Sequence, residues 1–248
     1  MMTIKDFFKE CNRVALGFSG GVDSSYLLYA GLLYGADIQP YYIKTAFQPQ
    51  FEYEDALQLA KQLGVELKVL ELDVFALPAV VDNPSDRCYH CKTALFGKLK
   101  EQALADGYTV LIDGTNASDD AQDRPGMRAL AELEVRSPLR ECDLTKDQIR
   151  QLSREAGLFT WDKPAYACLA TRIAQGDTIT PEVLRRVEGA ETALFKLGFS
   201  DFRVRAYHDA ARLQFNDVQM AKAIQERKAI IRSLSPFFKV ILLDLAGR

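Results

Sequence analysis

The 248-residue sequence has little histidine and no long apolar run. His90 and His208 are the two histidines, so a zinc site with four His and Cys ligands is not obvious. No stretch approaches the roughly 18 consecutive apolar residues that a membrane helix needs, and the charged start of the chain does not resemble a signal peptide. The sequence therefore predicts a cytoplasmic protein with no membrane partner.

A strong net charge is also missing, since the formal value at pH 7 is −3. The first 160 residues carry 17 Lys and Arg against 24 Asp and Glu, whereas residues 161–248 carry 14 against 10. Binding of a long nucleic acid requires many clustered basic side chains, so we do not expect a nucleic-acid partner. The mildly positive C-terminal part suits a small anionic substrate instead.

A glycine-rich turn near the N-terminus carries the clearest chemical signal. Ser19-Gly20-Gly21-Val22-Asp23-Ser24 lies between two apolar runs, which predicts a strand, a turn and a helix. Glycines let the backbone approach an anion, and the helix N-terminus supplies amide donors. The Lys of a Walker loop is absent, and the motif resembles the PP-loop, SGGxDS, of the ATP pyrophosphatases, which cleave ATP between the α and β phosphates. We predict that Ser19, Gly20, Gly21, Asp23 and Ser24 bind ATP; the alternative is an ordinary strand-turn-helix.

Apolar runs alternate with helical periodicity over the first 160 residues, which is typical of a doubly wound, mostly parallel α/β sheet. The predicted strands are 14–18, 38–43, 65–70, 109–112 and 134–137, and the predicted helices are 24–34, 52–63, 92–105 and 146–156. After Trp161 the pattern predicts a small α+β unit with helices 181–197 and 217–234 and strands 202–207, 211–215 and 238–245. We divide the chain into an ATP-binding domain, residues 1–165, and a C-terminal domain, residues 166–248, for substrate binding and oligomerisation. We therefore expect a homo-oligomer.

A second nucleotide-site signal follows the predicted strand 109–112. Asp113-Gly114-Thr115-Asn116 stands at the carboxyl end of that strand, where ligands bind in open parallel sheets, so Gly114 is a predicted nucleotide contact. Asp120 follows in an acidic loop, and its carboxylate could hold Mg²⁺ against the phosphates. A solvated acidic loop that caps the next helix would explain the same residues.

Three of the five cysteines have a spacing that suits metal binding. The odd number argues against a disulfide framework. Two residues separate Cys88 from Cys91, so both thiolates can converge on one centre, and Cys168 could supply the third ligand and leave one position open. Lys92 and Arg172 stand beside these cysteines and would favour the thiolate. A Cys-x-x-Cys redox pair and inert cysteines are the alternatives.

Arginines in the C-terminal part predict a phosphate site. Arg203 and Arg205 are two residues apart on a predicted strand and therefore share one face, which suits bidentate binding of a phosphate. Arg212 is a candidate third contact from the next strand. The alternative is a solvated strand face with salt bridges to Asp201 or Glu191.

Together these segments resemble the LarE family. The resemblance rests on the PP-loop and on five further segments: Asp86-Arg87-Cys88-Tyr89-His90-Cys91-Lys92, Asp113-Gly114-Thr115-Asn116, Arg124-Pro125-Gly126, Ala167-Cys168-Leu169-Ala170-Thr171-Arg172 and Arg203-Val204-Arg205. LarE proteins are ATP-dependent sulfur transferases that help to make the nickel-pincer nucleotide cofactor of lactate racemase. The resemblance implies adenylation of a pyridinium carboxylate mononucleotide, release of pyrophosphate and AMP, and conversion of the carboxylate to a thiocarboxylate. We also place Lys92 and Arg172 among the predicted nucleotide-binding residues.

The resemblance implies two ways of delivering sulfur. In one, a single cysteine, matched by Cys168, attacks the acyl adenylate and gives up its own sulfur. In the other, three cysteines hold a 4Fe-4S cluster that carries an extra sulfide. Members of the first type lack the Cys-x-x-Cys pair, so the pair at 88 and 91 favours the cluster, and the expected cofactors are ATP, Mg²⁺ and 4Fe-4S. Gln214 stands where the family often has a glutamate.

Two other functions fit part of the pattern. A tRNA-thiolating PP-loop sulfur transferase would also use ATP and cysteines, although it would need a broad basic surface. A nucleotide-binding or iron-sulfur storage protein would bind ATP without cleaving it.

Overall fold

The computed structural model describes residues 2–119 and 125–247. Two compact units divide the chain. The first comprises Met1–Val74 and Asp86–Ala165, and the second comprises Phe75–Ser85 and Tyr166–Arg248. Residues 75–85 therefore belong with the C-terminal part, whereas the sequence predicts a single boundary between residues 165 and 166. No helix in the described ranges combines the length and apolar character of a membrane span.

The first unit contains a four-stranded sheet with the strand order β3-β2-β1-β4 and all neighbours parallel. Its strands are β1 (Arg13–Gly17), β2 (Asp37–Lys44), β3 (Lys68–Glu71) and β4 (Val110–Ile112). Its helices are α1 (Ile4–Glu10), α2 (Val22–Leu33), α3 (Gln50–Gln62), α5 (Arg87–Ala105), α6 (Pro125–Glu132), α7 (Pro138–Glu141) and α8 (Lys146–Glu155). The predicted α/β class with a parallel sheet is confirmed.

Alternating side chains of β1 build two cores on opposite faces of this sheet. Leu16 is fully buried in a cluster that includes Phe8 of α1, Leu27 of α2 and Ile149 of α8. Its neighbour Ala15 belongs to a second cluster with Leu99 of α5. Successive strand residues point to opposite faces, so the apolar run of β1 is buried by helices on both sides, as in a doubly wound sheet.

The order of the strands places a crevice beside β1. The chain runs outward from β1 through β2 to β3 and then returns to add β4 on the other side of β1. The carboxyl ends of β1 and β4 therefore flank the point where the winding direction reverses, which is where open α/β sheets bind ligands. The loops after Gly17 and Ile112 both begin at this point.

The second unit contains a three-stranded sheet in the order β5-β6-β7. Its elements are α4 (Pro78–Val81), α9 (Pro181–Lys196), β5 (Arg203–Tyr207), β6 (Ala210–Gln214), α10 (Asp217–Gln225), α11 (Arg227–Leu234) and β7 (Val240–Leu243). β5 and β6 are antiparallel, whereas β6 and β7 are parallel. A short 3₁₀ helix, Leu169–Arg172, precedes α9. The unit is the α+β arrangement that the sequence predicts.

Several predicted elements differ from those observed. The predicted strand 134–137 is a single bridge between Ile112 and Arg136, because Glu134 has a φ of 60° and Ser137 already caps α7. The predicted helix 217–234 is two helices, and Glu226 ends α10 and precedes α11. The helix predicted at 92–105 begins at Arg87, so the Cys-x-x-Cys pair lies inside its first turns.

Candidate functional site: a PP-loop and an arginine-lined strand face

The PP-loop connects β1 to α2 and is held by its own serines. The Ser24 hydroxyl donates to the Gly21 carbonyl at 3.2 Å and lies 3.0 Å from the Ser19 hydroxyl, and the Gly21 amide donates to Ser19 at 3.3 Å. Gly21 caps α2 without a side-chain acceptor, so the first amides of the helix face the loop. The loop therefore has the donors and the potential that an anion requires.

Gly20 allows a close approach between the loop and α3. Its φ is 71°, and a Cβ at this position would lie 3.0 Å from the Cβ of Ala56 and 3.1 Å from its backbone nitrogen. Both the backbone conformation and the packing thus require glycine. The packing of the loop against α3 therefore requires a glycine at position 20, in addition to the need for a ligand to approach the backbone.

The loop after β4 meets the PP-loop directly. A Cβ on Gly114 would come within 2.8 Å of the backbone nitrogen of Ser24, so only glycine permits this contact. The Asn116 amide donates to the Asp23 carboxylate at 3.3 Å, and the Lys146 ammonium lies 2.6 Å from the same carboxylate. The structure therefore brings the two sequence signals, one after each strand, into one site.

Two lysines beside the PP-loop were not assigned by the sequence analysis. Lys146 begins α8 and pairs with Asp23, and Lys163 lies 2.7 Å from Asp55 and 3.4 Å from the Gly20 carbonyl. Neither lysine belongs to a motif, so the sequence alone carries no signal that would have found them. They supply positive charge to a loop that has no Walker lysine.

The cysteine pair lies on α5. Cys88 is exposed and Cys91 is partly exposed, and neither forms a disulfide. Their spacing of three residues places both thiols on one side of the helix. The Arg87 guanidinium contacts the Cys88 sulfur at 3.7 Å. The stem of Lys92 packs near Gly126, where a Cβ would lie 2.9 Å from the Lys92 side chain.

Cys168 belongs to the second unit and caps the 3₁₀ helix. Its carbonyl accepts hydrogen bonds from the Thr171 amide at 3.0 Å and the Thr171 hydroxyl at 2.8 Å. Its thiol is partly exposed and forms no disulfide. Over the described residues, no group of three or more His, Cys, Asp or Glu side chains is arranged to hold a metal ion. Asp120, the candidate Mg²⁺ ligand, lies outside the described residues.

Arg172 holds the Cys168 segment to the rest of the second unit. Its side chain is fully buried and donates to Glu191 at 2.7 and 3.2 Å, to the Ala167 carbonyl at 3.1 Å and to the Thr171 hydroxyl at 2.8 Å. Burial alone would lower the pKa of this guanidinium, but the hydrogen bonds and charge of Glu191 raise it. Since its donors are used inside the unit, the structure gives Arg172 a positioning role, and its contact with nucleotide stays a prediction.

Glu191 is a buried carboxylate at the centre of this hydrogen-bond network, whereas the sequence suggests only a possible surface partner for an arginine. Besides Arg172, its carboxylate accepts from the Val204 amide at 2.9 Å and from the Tyr166 hydroxyl. Burial and the Glu191 charge raise the pKa of Tyr166. A glutamate on the apolar side of α9, next to Ala190 and one turn before Leu194, was the signal that could have identified it.

The three candidate phosphate-binding arginines share one sheet face. Arg205 stands opposite Arg212 in the register of β5 and β6, and Arg203 is two residues along β5 on the same side. Burial, the positive charge of Arg212 and that of Arg172 lower the pKa of Arg205. Arg203 is buried with its guanidinium 5.5 Å from the Tyr166 ring centroid, whereas the Arg212 side chain is 42% exposed, so the face extends from a buried end to a solvated end.

Gln214 connects this arginine face to Asp244. Its carbonyl oxygen accepts from Arg205 at 2.6 Å, and its amide donates to the Asp244 carboxylate at 2.9 Å. A glutamate at 214 could accept from the arginine but could not donate to Asp244. The departure from the family pattern thus has a structural consequence, because Gln214 links a cation to a carboxylate.

Comparison with known proteins identifies the family. The chain is 30% identical over 248 residues, 99% of its length and 90% of the relative's, to the pyridinium-3,5-bisthiocarboxylic acid mononucleotide synthase of Lactiplantibacillus plantarum. The chain belongs to the LarE family. Another relative, an uncharacterized protein of Synechocystis sp., is 37% identical over 98% of this chain and 92% of its own length. No family model matches the sequence.

More distant relatives align with part of the chain. The tRNA-specific 2-thiouridylase MnmA of Thermotoga petrophila is 25% identical over 57% of this chain and 44% of its own length. With the parallel sheet and the loop geometry, this likeness supports the PP-loop ATP pyrophosphatase fold. The chain is an enzyme, a sulfur transferase of the ATP-using PP-loop class.

Proposed function

We propose that this protein adenylates a pyridinium carboxylate mononucleotide and converts its carboxylate to a thiocarboxylate. The observation that carries the proposal is the junction of the PP-loop with the Gly114 loop at the switch point of the sheet, in a chain that aligns over 99% of its length with a synthase of this kind. The synthase's own name supplies the substrate class.

The first step takes place at the PP-loop. A carboxylate oxygen of the substrate attacks the α-phosphorus of ATP, the bond to the β-phosphate oxygen breaks, and pyrophosphate leaves. Ser19, Gly20, Gly21 and Ser24 bind the phosphates directly, as does the backbone at Gly114, and Asp23 binds ATP through Mg²⁺. Mg²⁺ enters with ATP, and Asp23 and Asp120 are the carboxylates that we propose as its ligands, since it prefers oxygen donors.

The arginine face of the second unit binds the phosphate of the mononucleotide. Arg203, Arg205 and Arg212 lie on this face, and the lowered pKa of Arg203 and Arg205 reflects burial among like charges that a bound dianion would relieve. Arg205→Ala should raise KM or lower kcat/KM by about 1.5–3 kcal/mol in transition-state free energy, as expected for a charged hydrogen bond. Unchanged kinetics in the Arg203→Ala and Arg205→Ala variants would place the substrate elsewhere.

Sulfur then replaces AMP on the acyl carbon. The donor set of Cys88, Cys91 and Cys168 fits an iron-sulfur centre by its chemistry, since all three are thiols outside disulfides and thiolates are the usual ligands of such clusters. If these three thiolates held a 4Fe-4S cluster, they would leave one iron without a protein ligand, and the cluster would supply the transferable sulfide there. Arg172 and Thr171 orient the Cys168 backbone in this step.

Product analysis tests the ATP step. With a candidate carboxylate present, the enzyme should release AMP and pyrophosphate in equal amounts. ADP and phosphate as the main products would refute cleavage between the α and β phosphates. Pyrophosphate release by itself does not distinguish the sulfur mechanisms, which require a second measurement.

Iron and acid-labile sulfide analysis after anaerobic reconstitution tests the sulfur source. Cys88→Ala, Cys91→Ala and Cys168→Ala should each lower the cluster content, whereas Cys11→Ala and Cys142→Ala should not. With sulfide supplied, product should exceed one equivalent per chain and Cys168 should keep its mass. If product stops at one equivalent and Cys168 becomes lighter by about 34 Da, the loss of H₂S, the cysteine itself is the donor.

A further inference from the structure

Lys163 places a partly buried ammonium at the edge of the PP-loop. Its side chain is 13% exposed, and its nitrogen lies 2.7 Å from the Asp55 carboxylate of α3 and 3.4 Å from the Gly20 carbonyl of the loop. It also lies 5.6 Å from the centroid of the Phe51 ring. Helix α3 and the PP-loop therefore hold the Lys163 ammonium next to Gly20, the second residue of the motif.

The backbone that carries Lys163 is clamped by α8. The Arg150 guanidinium donates to the Trp161 carbonyl at 2.7 Å and to the Lys163 carbonyl at 2.8 Å. Because α3 touches the PP-loop at Gly20, the partner Asp55 is fixed relative to the loop as well. The position of the ammonium is thus set by the fold rather than by a flexible surface side chain.

The hydrogen bonds of this ammonium favour a ligand. Lys has three N–H donors, and among the described residues Asp55 takes one at close range while the Gly20 carbonyl takes another only at 3.4 Å. An ATP phosphate chain brings several negative charges to a loop whose own motif contains no lysine. A cation already held beside the Gly20 carbonyl can turn to a phosphate oxygen without a large entropic cost.

We propose that Lys163 is a phosphate-binding residue of the PP-loop site that contacts the pyrophosphate part of ATP, with Asp55 as the positioning residue for its ammonium. The inference rests on the proposed function, because it assumes that the loop binds ATP. It adds a cation to the site from outside the SGGxDS motif, and it assigns to Lys163 the electrostatic role that the P-loop lysine has in Walker-type sites.

Inorganic pyrophosphate is the probe that tests this contact, and calorimetry measures its Kd. Lys163→Met should weaken pyrophosphate binding about tenfold to a hundredfold, the range expected for a charged hydrogen bond. Lys163→Arg should restore part of the affinity. Lys68→Met is the matched control, since Lys68 forms an ion pair of the same 2.7 Å length with Asp106 at the amino end of β3, the opposite edge of the sheet. It should leave the Kd within twofold.

The outcomes separate this inference from the proposed function. If the wild-type protein binds neither ATP nor pyrophosphate, the proposed function fails. If the wild type binds and Lys163→Met binds equally well, the Lys163 contact is refuted. Should Lys163→Met fail to fold, Lys163→Gln, which keeps a hydrogen-bond donor without the charge, decides: a loss of pyrophosphate affinity of tenfold or more supports the contact, whereas a Kd within twofold of wild type refutes it.

Discussion

Removing Glu191 should destabilise the second unit more than removing any exposed acidic residue. Glu191 is 1% exposed and its carboxylate receives two bonds from Arg172, one from the Val204 amide and one from Tyr166. Glu191→Ala leaves a guanidinium with no exposed side-chain surface and without its counter-charge. Breaking a buried ion pair on one side costs about 3–5 kcal/mol. We expect a loss of that size in the free energy of unfolding.

A double-mutant cycle separates the charge pair from simple packing. Arg172→Met and Glu191→Leu should each be strongly destabilising, while the combined variant should recover about 1–3 kcal/mol relative to the sum, because neither charge is then left unpaired. Glu191→Gln keeps an acceptor for the Val204 amide and should lose less, about 1.5–3 kcal/mol. Arg13→Gln, in a pair with Asp37 whose side chains are 56% and 55% exposed, should cost under about 1 kcal/mol.

Urea unfolding followed by far-UV circular dichroism measures these differences. The one tryptophan, Trp161, lies in the first unit, so its fluorescence reports separately on whether that unit unfolds at the same urea concentration. If the effects of Arg172→Met and Glu191→Leu simply add, the two charges do not stabilise each other. A loss under about 1 kcal/mol in Glu191→Ala would likewise contradict the structure, because that is the range of exposed pairs.

Three further predictions concern the PP-loop and the cysteines. Gly114→Ala should abolish ATP binding measured by calorimetry, because its Cβ would lie 2.8 Å from the first turn of α2. Gly97→Ala is the control and should leave binding intact, since a Cβ there would meet no atom within 4 Å. Equal ATP affinities in the two variants would refute the close contact. Gly20→Ala should lower stability by about 1–3 kcal/mol in thermal unfolding, since φ is 71° and the Cβ would meet α3. Burial raises the pKa of Cys142 to about 11, so iodoacetamide at pH 8 should modify the exposed Cys88 well before Cys142 in peptide mass mapping, and the reverse order would contradict that shift.

The first unit could be predicted from sequence because its signals are local. Strand β1, the glycine turn and α2 follow one another without interruption, and a parallel sheet forces the loops after β1 and β4 to the same edge. The predicted strand at 134–137 is wrong because Glu134 adopts a positive φ, which breaks an extended strand. Non-glycine residues rarely adopt this conformation, so the residue type gives no sign of it. The break of the long C-terminal helix at Glu226 likewise has no glycine or proline to mark it.

The residues that complete the site could not be predicted from the sequence, because their partners are distant in the chain. Asp23 and Lys146 are separated by 123 positions, and the Lys163 ammonium reaches back 143 positions to Gly20. A single sequence shows neither pairing. Segment 75–85 joins the second unit through bonds such as Asn83 to the Ala174 carbonyl at 2.7 Å, again across a long separation. Periodicity reports neighbours on one element, whereas these contacts depend on tertiary packing.

A shared electrostatic design explains why both units place carboxylates next to the cations that should bind anions. Lys146 is paired with Asp23, Lys163 with Asp55 and Arg212 with Asp244. Cations gathered for a phosphate repel one another when the phosphate is absent, and a neighbouring carboxylate offsets that repulsion. The carboxylates also fix the geometry, but they reduce the net attraction for an anion. Such sites favour ligands that bring several negative charges at once, which is the character of ATP and of a nucleotide phosphate, over a single carboxylate or chloride.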